Sequence, residues 1–223
     1  MELFPGEPPA GPWRVEPLNT LAQSLTDAAP SRPLIIAVDG RGGGGKTALA
    51  GRLSQVLPHA AVVHSDDVAW NHSRFGWDDL MIDGVLQPLR AGQGVHYQPP
   101  AWPRNGRGGY IDVPSTARTI LIEGVGVSRR SLVCLIDVAV WVQSDAGEAR
   151  RRAIVRDMAE KGVDEDAALE NWYEWEAEEV PFLLDDRPWE RAHVIIGTSS
   201  APPHDPQTEV VIGRASQLPP LNR

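Results

Sequence analysis

One glycine-rich segment constrains the fold of this 223-residue chain more than any other part of its sequence. Its residues are Gly40, Arg41, Gly42, Gly43, Gly44, Gly45, Lys46 and Thr47. They match G-x-x-x-x-G-K-[ST], in which glycines let backbone N–H groups surround phosphate oxygens. An apolar run enters the segment and a helical pattern leaves it, so a chance glycine-rich turn is the weaker interpretation. The pattern predicts a nucleotide phosphate site, with Lys46 on the β/γ-phosphates and Thr47 on Mg²⁺.

Apolar runs and helical patterns alternate along the chain. They predict strands at 33–39, 60–64, 119–123, 137–143 and 193–196, and helices at 18–28, 46–57, 77–91, 147–161 and 164–184. Such alternation is typical of a parallel sheet covered by helices on both faces. We therefore predict one α/β domain over 1–223, with a three-layer P-loop NTPase fold and a parallel central sheet. Around that core we expect an irregular lead-in (1–17), an acceptor-side loop (92–118), a helical lid with its following helix (147–186) and a tail (200–223) with a strand at 209–212.

Composition argues against two classes of partner. The chain has 21 Lys and Arg against 30 Asp and Glu, a net charge of -9 that would repel a nucleic-acid backbone. No window has the roughly 20 apolar residues of a membrane span, and no secretory signal pattern is visible. The single cysteine, Cys134, cannot form an internal disulfide, and its apolar surroundings predict burial. We expect a cytoplasmic protein without a nucleic-acid or membrane partner, and self-association into a homo-oligomer stays open.

Two carboxylates follow predicted strands. Asp66 comes after the strand at 60–64, and Glu123 ends the strand at 119–123. In open parallel sheets ligands bind at this edge, so Asp66 could accept a proton from a hydroxyl or bind Mg²⁺, and Glu123 could reach the metal directly or through water. The alternatives are a cap or turn for Asp66 and a solvated turn for Glu123. His64 lies on the strand, where a structural role is the simpler interpretation.

Other nucleotide-binding classes fit the sequence less well. GTPases carry an N-K-x-D motif that reads the base, and no Asn-Lys pair occurs in this chain. The strand at 119–123 also lacks the Asp-Glu ending common in motor-type ATPases.

Four motifs together resemble the uridine kinase-like branch of the P-loop kinases. They are GRGGGGKT, HSDD, LIEG and RRRAIVRD, in that order, and the resemblance runs from about Leu34 to Ile196. It implies ATP as the phosphate donor with Mg²⁺, Asp66 as catalytic base and metal partner, and Glu123 as an acidic residue near the metal or the acceptor.

The last motif lies on the predicted lid helix. Arg152 and Arg156 are four residues apart and share a face. The resemblance implies that lid arginines neutralise charge on the transferred phosphoryl group. The alternative is a surface ladder of ion pairs through Glu148, Arg152, Arg156 and Glu160. Arg41, inside the glycine-rich segment, is expected to face solvent.

The sequence gives weaker evidence for the residues that would bind the phosphate acceptor. The resemblance places Asp78 on sugar hydroxyls, although capping of its helix is an equal alternative. Tyr97 and Trp102 could stack on a base or ring, although aromatic residues more often form core. Gln98 and Ala101 depart from the residues that uridine kinases and related proteins carry there. The later helix should bury a stripe of Leu169, Trp172, Tyr173, Ala177, Val180 and Leu184, with glutamates opposite.

These observations predict a kinase that uses ATP and Mg²⁺ to phosphorylate a hydroxyl of a nucleoside or another small polar molecule. Two alternatives stay open. One is a nucleotide-binding regulatory module, which would have a cleft plugged by Trp102 or Tyr97. The other is a simple nucleoside triphosphate hydrolase.

Overall fold

A mixed sheet forms the centre of the molecule. The computed structural model describes residues 1–27, 33–199 and 202–213. Its strands in this part of the chain are β1 (Arg14–Pro17), β2 (Leu34–Gly40), β3 (Ala60–His64), β4 (Val95–Tyr97), β5 (Ile111–Val113), β6 (Thr119–Gly124), β7 (Val138–Gln143), β8 (Val194–Gly197) and β9 (Glu209–Gly213). The main sheet has the order β1-β9-β8-β7-β2-β6-β3, and β4 and β5 form a separate hairpin. The strands from β8 to β3 are parallel, while β9 and β1 add antiparallel pairs at one edge.

Helices cover both faces of the sheet. They are α1 (Leu18–Thr26), α2 (Lys46–Val56), α3 (Ser65–Ala69), α4 (Asp78–Met81), α5 (Gln87–Arg90), α6 (Ala101–Arg104), α7 (Ala146–Lys161) and α8 (Glu165–Asp186). None of the helices in these described ranges is both long and apolar enough to cross a bilayer.

The side chains of β2 show why the sheet needs two helical layers. Every residue of this strand is buried. Leu34, Ile36 and Val38 enter a core with α1 and α2, whereas Ile35 and Ala37 enter the core on the opposite face. Successive strand side chains point to opposite faces, so a continuous apolar run predicts burial on both sides. The predicted three-layer α/β architecture is confirmed.

The N-terminal segment is not an irregular lead-in throughout. Residues Arg14–Pro17 form β1, which pairs with β9 from the far end of the chain. The prediction of 1–17 as irregular was therefore wrong at its end, because four residues with one valine give no strand pattern of their own. The predicted strand at 209–212 is confirmed as β9, and it supplies the partner that orders β1.

The segment 92–118 is also more ordered than predicted. It contains the β4–β5 hairpin, with α6 between the two strands. Val95, Ile111 and Val113 are buried against the main core. Three-residue strands are too short to show an alternating pattern, which is why the sequence indicated only a loop.

The predicted helix at 77–91 is interrupted by a wider turn, and Pro88 lies at the start of the helix that follows it. Between α4 and α5 the chain forms one π-helical turn over Ile82–Leu86, in which the Gln87 N–H donates to the Ile82 carbonyl. A wider turn can accommodate a residue that has no N–H to donate. One further correction concerns Cys134, which is exposed rather than buried.

Candidate active site

The glycine-rich segment forms a tight loop between β2 and α2. Gly43 and Gly45 have positive φ values of 70° and 96°, a conformation that favours glycine. Lys46 begins α2, and its ammonium donates to the Arg41 carbonyl across the loop at 2.8 Å. The first-turn N–H groups of α2 have no partner within the helix, so they are available to an anion. The loop has the form of a phosphate cradle.

Parallel register brings two side chains together beside this loop. His64 of β3 is the direct neighbour of Glu123 of β6. Their atoms His64 Nδ1 and Glu123 Oε1 lie 2.5 Å apart, and the Thr47 hydroxyl donates to the same carboxylate oxygen at 3.3 Å. His64 therefore contacts the candidate site, although its strand position suggested a structural role. Its pairing with Glu123 depends on register, which a single strand sequence does not define.

The same pair has shifted pKa values. Burial acts to raise the pKa of Glu123, but the His64 hydrogen bond and the charge of Lys46 outweigh it, so the pKa is lowered. The hydrogen bond to Glu123 raises the pKa of His64, against a smaller opposing effect of burial. Glu123 is thus held in its anionic form beside Thr47.

A cleft of about 210 Å³ opens in front of the loop. Its loop side includes Lys46 and Thr47, and the strand ends contribute Asp66 and Glu123. The remaining lining comes from the lid helices and nearby loops: Gly42, Gly43, Arg74, Gly124, Val125, Ala153, Arg156, Asp157, Lys161, Ala168, Asn171, Trp172 and Trp175. Residues that are far apart in sequence therefore converge on one polar cleft.

The lid arginines occupy different positions. Arg156 lines the cleft and pairs with Asp157 at 3.4 Å. Arg152 is outside the cleft lining, since its guanidinium contacts Glu148 and donates to the Thr198 carbonyl at 2.9 Å. Arg152 therefore fits the alternative of a surface ion pair, through its contact with Glu148. Arg156 is instead placed to meet a ligand in the cleft.

The predicted solvent exposure of Arg41 was wrong. Its side chain is only 3% exposed rather than solvent-facing. The guanidinium pairs with Glu179 of α8 at 3.1 Å and lies beneath the Phe4 ring, 2.9 Å from its centroid. Glu179 also accepts a hydrogen bond from the Gly42 N–H at 2.7 Å. Arg41 thus fastens the loop to α8 from behind.

The predicted acceptor residues do not form one site. Trp102 is 3% exposed within the core, and its indole donates to the Asp67 carbonyl at 2.8 Å. Tyr97 packs against Gly84 of the π-helical turn, where an added Cβ would meet its ring at 2.4 Å. Neither residue lines the cleft within the described part of the chain. Asp78 begins α4 and lies 3.9 Å from Arg129, also outside the lining.

Helix α8 buries a different face from the predicted stripe. Its buried residues are Ala168, Trp172, Glu179, Leu183 and Asp186, whereas Tyr173 and Leu184 are exposed. The prediction failed because both buried acids have arginine partners, Glu179 with Arg41 and Asp186 with Arg191. The face turned toward the cleft carries Asn171, Trp172 and Trp175, which the sequence analysis assigned to no site.

The residues present fit a magnesium ion held together with a nucleotide. Among the described residues, no group of three or more His, Cys, Asp or Glu side chains is arranged to hold a metal by itself. Mg²⁺ usually takes one or two carboxylates and fills its remaining positions with water and phosphate oxygens. The Thr47 hydroxyl, the anionic Glu123 and the nearby Asp66 supply oxygen donors of that kind.

Comparison with known proteins supports the resemblance that the motifs indicated. No protein family model matches the chain. It is 27% identical over 160 residues to a uridine kinase from Streptococcus gordonii strain Challis, covering 64% of this chain and 76% of that protein. The chain is thus similar to the uridine kinase-like P-loop kinases.

Solved structures confirm the fold. A protein from Silicibacter sp. TM1040, proposed to be the kinase of a fructose transport system, superposes with a TM-score of 0.57 at 17% identity, over 78% of this chain and 95% of its own. A proposed uridine kinase from Bacillus stearothermophilus gives a TM-score of 0.55 at 21% identity, over 80% of this chain and 96% of its own. The chain therefore shares its three-layer α/β fold with these two proteins.

Proposed function

We propose that this protein is an ATP- and Mg²⁺-dependent kinase that transfers the γ-phosphoryl group to a hydroxyl of a nucleoside or a similar small polar molecule. The observation that carries the proposal is the convergence of Lys46, Thr47, Asp66 and Glu123 on one cleft. A phosphate cradle alone would also suit a hydrolase. A carboxylate at a strand end beside it adds a group that can accept a proton from an alcohol.

Each residue then has a distinct task. Lys46 binds the β/γ-phosphate oxygens, and Thr47 and Glu123 are the residues that would hold Mg²⁺, which neutralises phosphate charge when bound. Asp66 accepts the proton of the attacking hydroxyl as the new O–P bond forms and the bond between the β- and γ-phosphates breaks. Arg156 neutralises charge on the transferred group from the lid side. ADP and the phosphorylated alcohol are the products.

The arrangement of aromatic residues favours a kinase over a regulatory module. A module with a plugged acceptor cleft would place Tyr97 or Trp102 beside Asp66. Within the described residues neither Tyr97 nor Trp102 lines the cleft that contains Asp66, although the Trp102 indole donates to the backbone carbonyl of the neighbouring Asp67. A polar and partly open cleft leaves space for an acceptor hydroxyl next to the carboxylate.

The test is a panel of nucleosides, sugars and pantothenate-like alcohols with labelled ATP, followed by substitution of the base. Asp66→Asn keeps the shape of the side chain but cannot take up the proton. We expect its phosphorylation rate to fall by about 10²- to 10⁴-fold, while ATP affinity changes little.

Asp67→Asn is the matched control. Asp67 is the next residue on α3, but its carboxylate pairs with Arg107 and lies outside the cleft lining of the described residues. Its substitution should leave the rate within a few-fold of the parent. The kinase proposal is wrong if no acceptor in the panel is phosphorylated and Asp66→Asn leaves ATP turnover unchanged.

A further inference from the structure

Two tryptophans of α8 carry indole N–H groups that find no partner in the part of the chain that the structure describes. Trp172 and Trp175 both line the cleft in front of the phosphate loop. The Nε1 atom of each is buried and has no hydrogen-bond partner within the described residues. Trp172 as a whole is only 4% exposed. These two donors lie in a cleft that also contains charged side chains from the loop, the strand ends and α7.

A buried donor without a partner is unfavourable. Most buried polar groups in proteins are paired, and an unmet donor costs about 1–3 kcal/mol. Phenylalanine would keep an aromatic ring in the apolar surroundings without that cost. A ligand that supplies acceptor atoms would offset this cost, because the indole N–H can only donate.

Contacts of α8 with the loop locate these donors. The Gly42 N–H donates to Glu179 at 2.7 Å, which fixes α8 against the phosphate cradle. A Cβ atom on Gly42 would lie 2.8 Å from Trp175 Nε1, so that indole nitrogen sits directly against the loop backbone. Trp172 packs one turn away, with Ala149 and Ala153 of α7. Both donors therefore occupy the lid side of the phosphate site.

The charges that line the same cleft indicate what the donors would bind, although the Glu179 carboxylate also lies close to the Gly42 position that Trp175 contacts. Lys46 and Arg156 line the same cleft from the loop and from α7. Cations and N–H donors together suit an anion with several oxygens, while Asp66 and Glu123 line the cleft from the strand ends.

We propose that the indole N–H groups of Trp175 and Trp172 donate hydrogen bonds to terminal phosphate oxygens of a bound nucleoside triphosphate. This inference rests on the proposed function, since it requires a nucleotide in the cradle. Helix α8 would then form a second side of the phosphate site. Its two indole donors would distinguish a triphosphate from a diphosphate.

The test compares two nucleotides in single variants. Trp175→Phe and Trp172→Phe keep a six-membered aromatic ring and remove the donor together with the five-membered ring of the indole. Calorimetry would measure the affinity of the full chain for ADP and for an ATP analogue with a non-hydrolysable β–γ bridge, both with Mg²⁺. We expect Trp175→Phe to weaken analogue binding about tenfold, the size expected for one hydrogen bond to a charged group. Trp172→Phe should act in the same direction, and ADP affinity should change less than about twofold.

Trp189→Phe is the matched control. Trp189 is buried against Trp141 and lies outside the cleft lining of the described residues, so its variant should bind both nucleotides like the parent. Unchanged analogue affinity in both α8 variants, or an equal loss of ADP and analogue affinity, would overturn the inference. Failure of the parent protein to bind either nucleotide would instead overturn the proposed function itself, and the inference with it.

Discussion

Glycine at position 43 shows how a single residue links the phosphate loop to the lid. A Cβ atom there would lie 2.0 Å from the backbone oxygen of Ala149 in α7. The φ value of 70° adds a conformational cost for any other residue, about 1–2 kcal/mol. The loop motif alone leaves this position free, so its glycine is required by the closeness of α7 and by the positive φ of the loop.

We therefore expect Gly43→Ala to lower the free energy of unfolding by more than about 1 kcal/mol. Gly51→Ala is the control, since Gly51 lies in α2 and a Cβ there meets nothing within 4 Å. That variant should be more stable than the parent by about 0.5–1 kcal/mol, because alanine loses less backbone entropy in a helix. Urea unfolding measures both values. Equal stability of the two variants would contradict the contact between the loop and α7.

The sequence could predict the position of a residue only where that position depends on residues close to it in sequence or on a general rule of sheet geometry. Lys46 and Thr47 follow from a contiguous motif, and Asp66 and Glu123 from the rule that strand ends share one edge of a sheet. Arg41 could not be placed, because its partner Glu179 lies 138 residues away. Trp102 was misassigned for the same reason, since its indole is held by the Asp67 carbonyl.

Helix α8 shows which properties of a whole helix its sequence can predict. The sequence predicted its extent well, 164–184 against Glu165–Asp186, and Asp164 caps its N-terminus. Its buried face was predicted wrongly, because periodicity counts glutamate as a solvent residue. Ion pairs with Arg41 and Arg191 make that rule fail twice on one helix. Element boundaries here follow from local signals, whereas the choice of face follows from partners on other elements.

The start of α8 gives a test at the same scale. The Asp164 carboxylate accepts from the Ala167 N–H at 2.9 Å and satisfies one of the free donors of the first turn. Replacement of Asp164 by alanine should lower the free energy of unfolding by about 1 kcal/mol. Asp166→Ala, inside the same first turn, removes an equal charge without removing the cap. Denaturant titration should show the larger loss for Asp164→Ala, and equal losses would mean that charge rather than capping stabilises this helix end.

Across the whole molecule, the N-terminal residues add contacts between the sheet, the phosphate loop and the lid. The Glu7 carboxylate accepts hydrogen bonds from Trp141 at 2.6 Å and Gln143 at 2.8 Å, both on β7. Phe4 covers Arg41 behind the phosphate loop, and β1 extends the sheet edge. The segment 1–17, which the sequence predicted to be irregular, thus contacts the sheet, the phosphate loop and, through Arg41, the lid.

Glu7 makes the contact between the N-terminal segment and β7 sensitive to pH. Burial raises its pKa above the usual 4.5, despite the opposing hydrogen bonds of Trp141 and Gln143 and the charge of Arg41. A folded-state pKa above the unfolded value means that the folded protein binds the proton more tightly. Stability therefore falls as the pH rises from the unfolded value through the folded value, and the loss is complete above the folded value.

Glu7→Gln cannot titrate, so it should avoid that loss. We expect the variant and the parent to have their smallest difference in unfolding free energy near pH 4, and the variant to gain relative to the parent as the pH rises toward 8. Denaturant unfolding at a series of pH values measures this difference, and Glu160→Gln on α7 gives the baseline for removing one acid elsewhere. A parent that becomes the more stable protein as the pH rises would show that attraction between Glu7 and Arg41 outweighs the cost of burying the carboxylate.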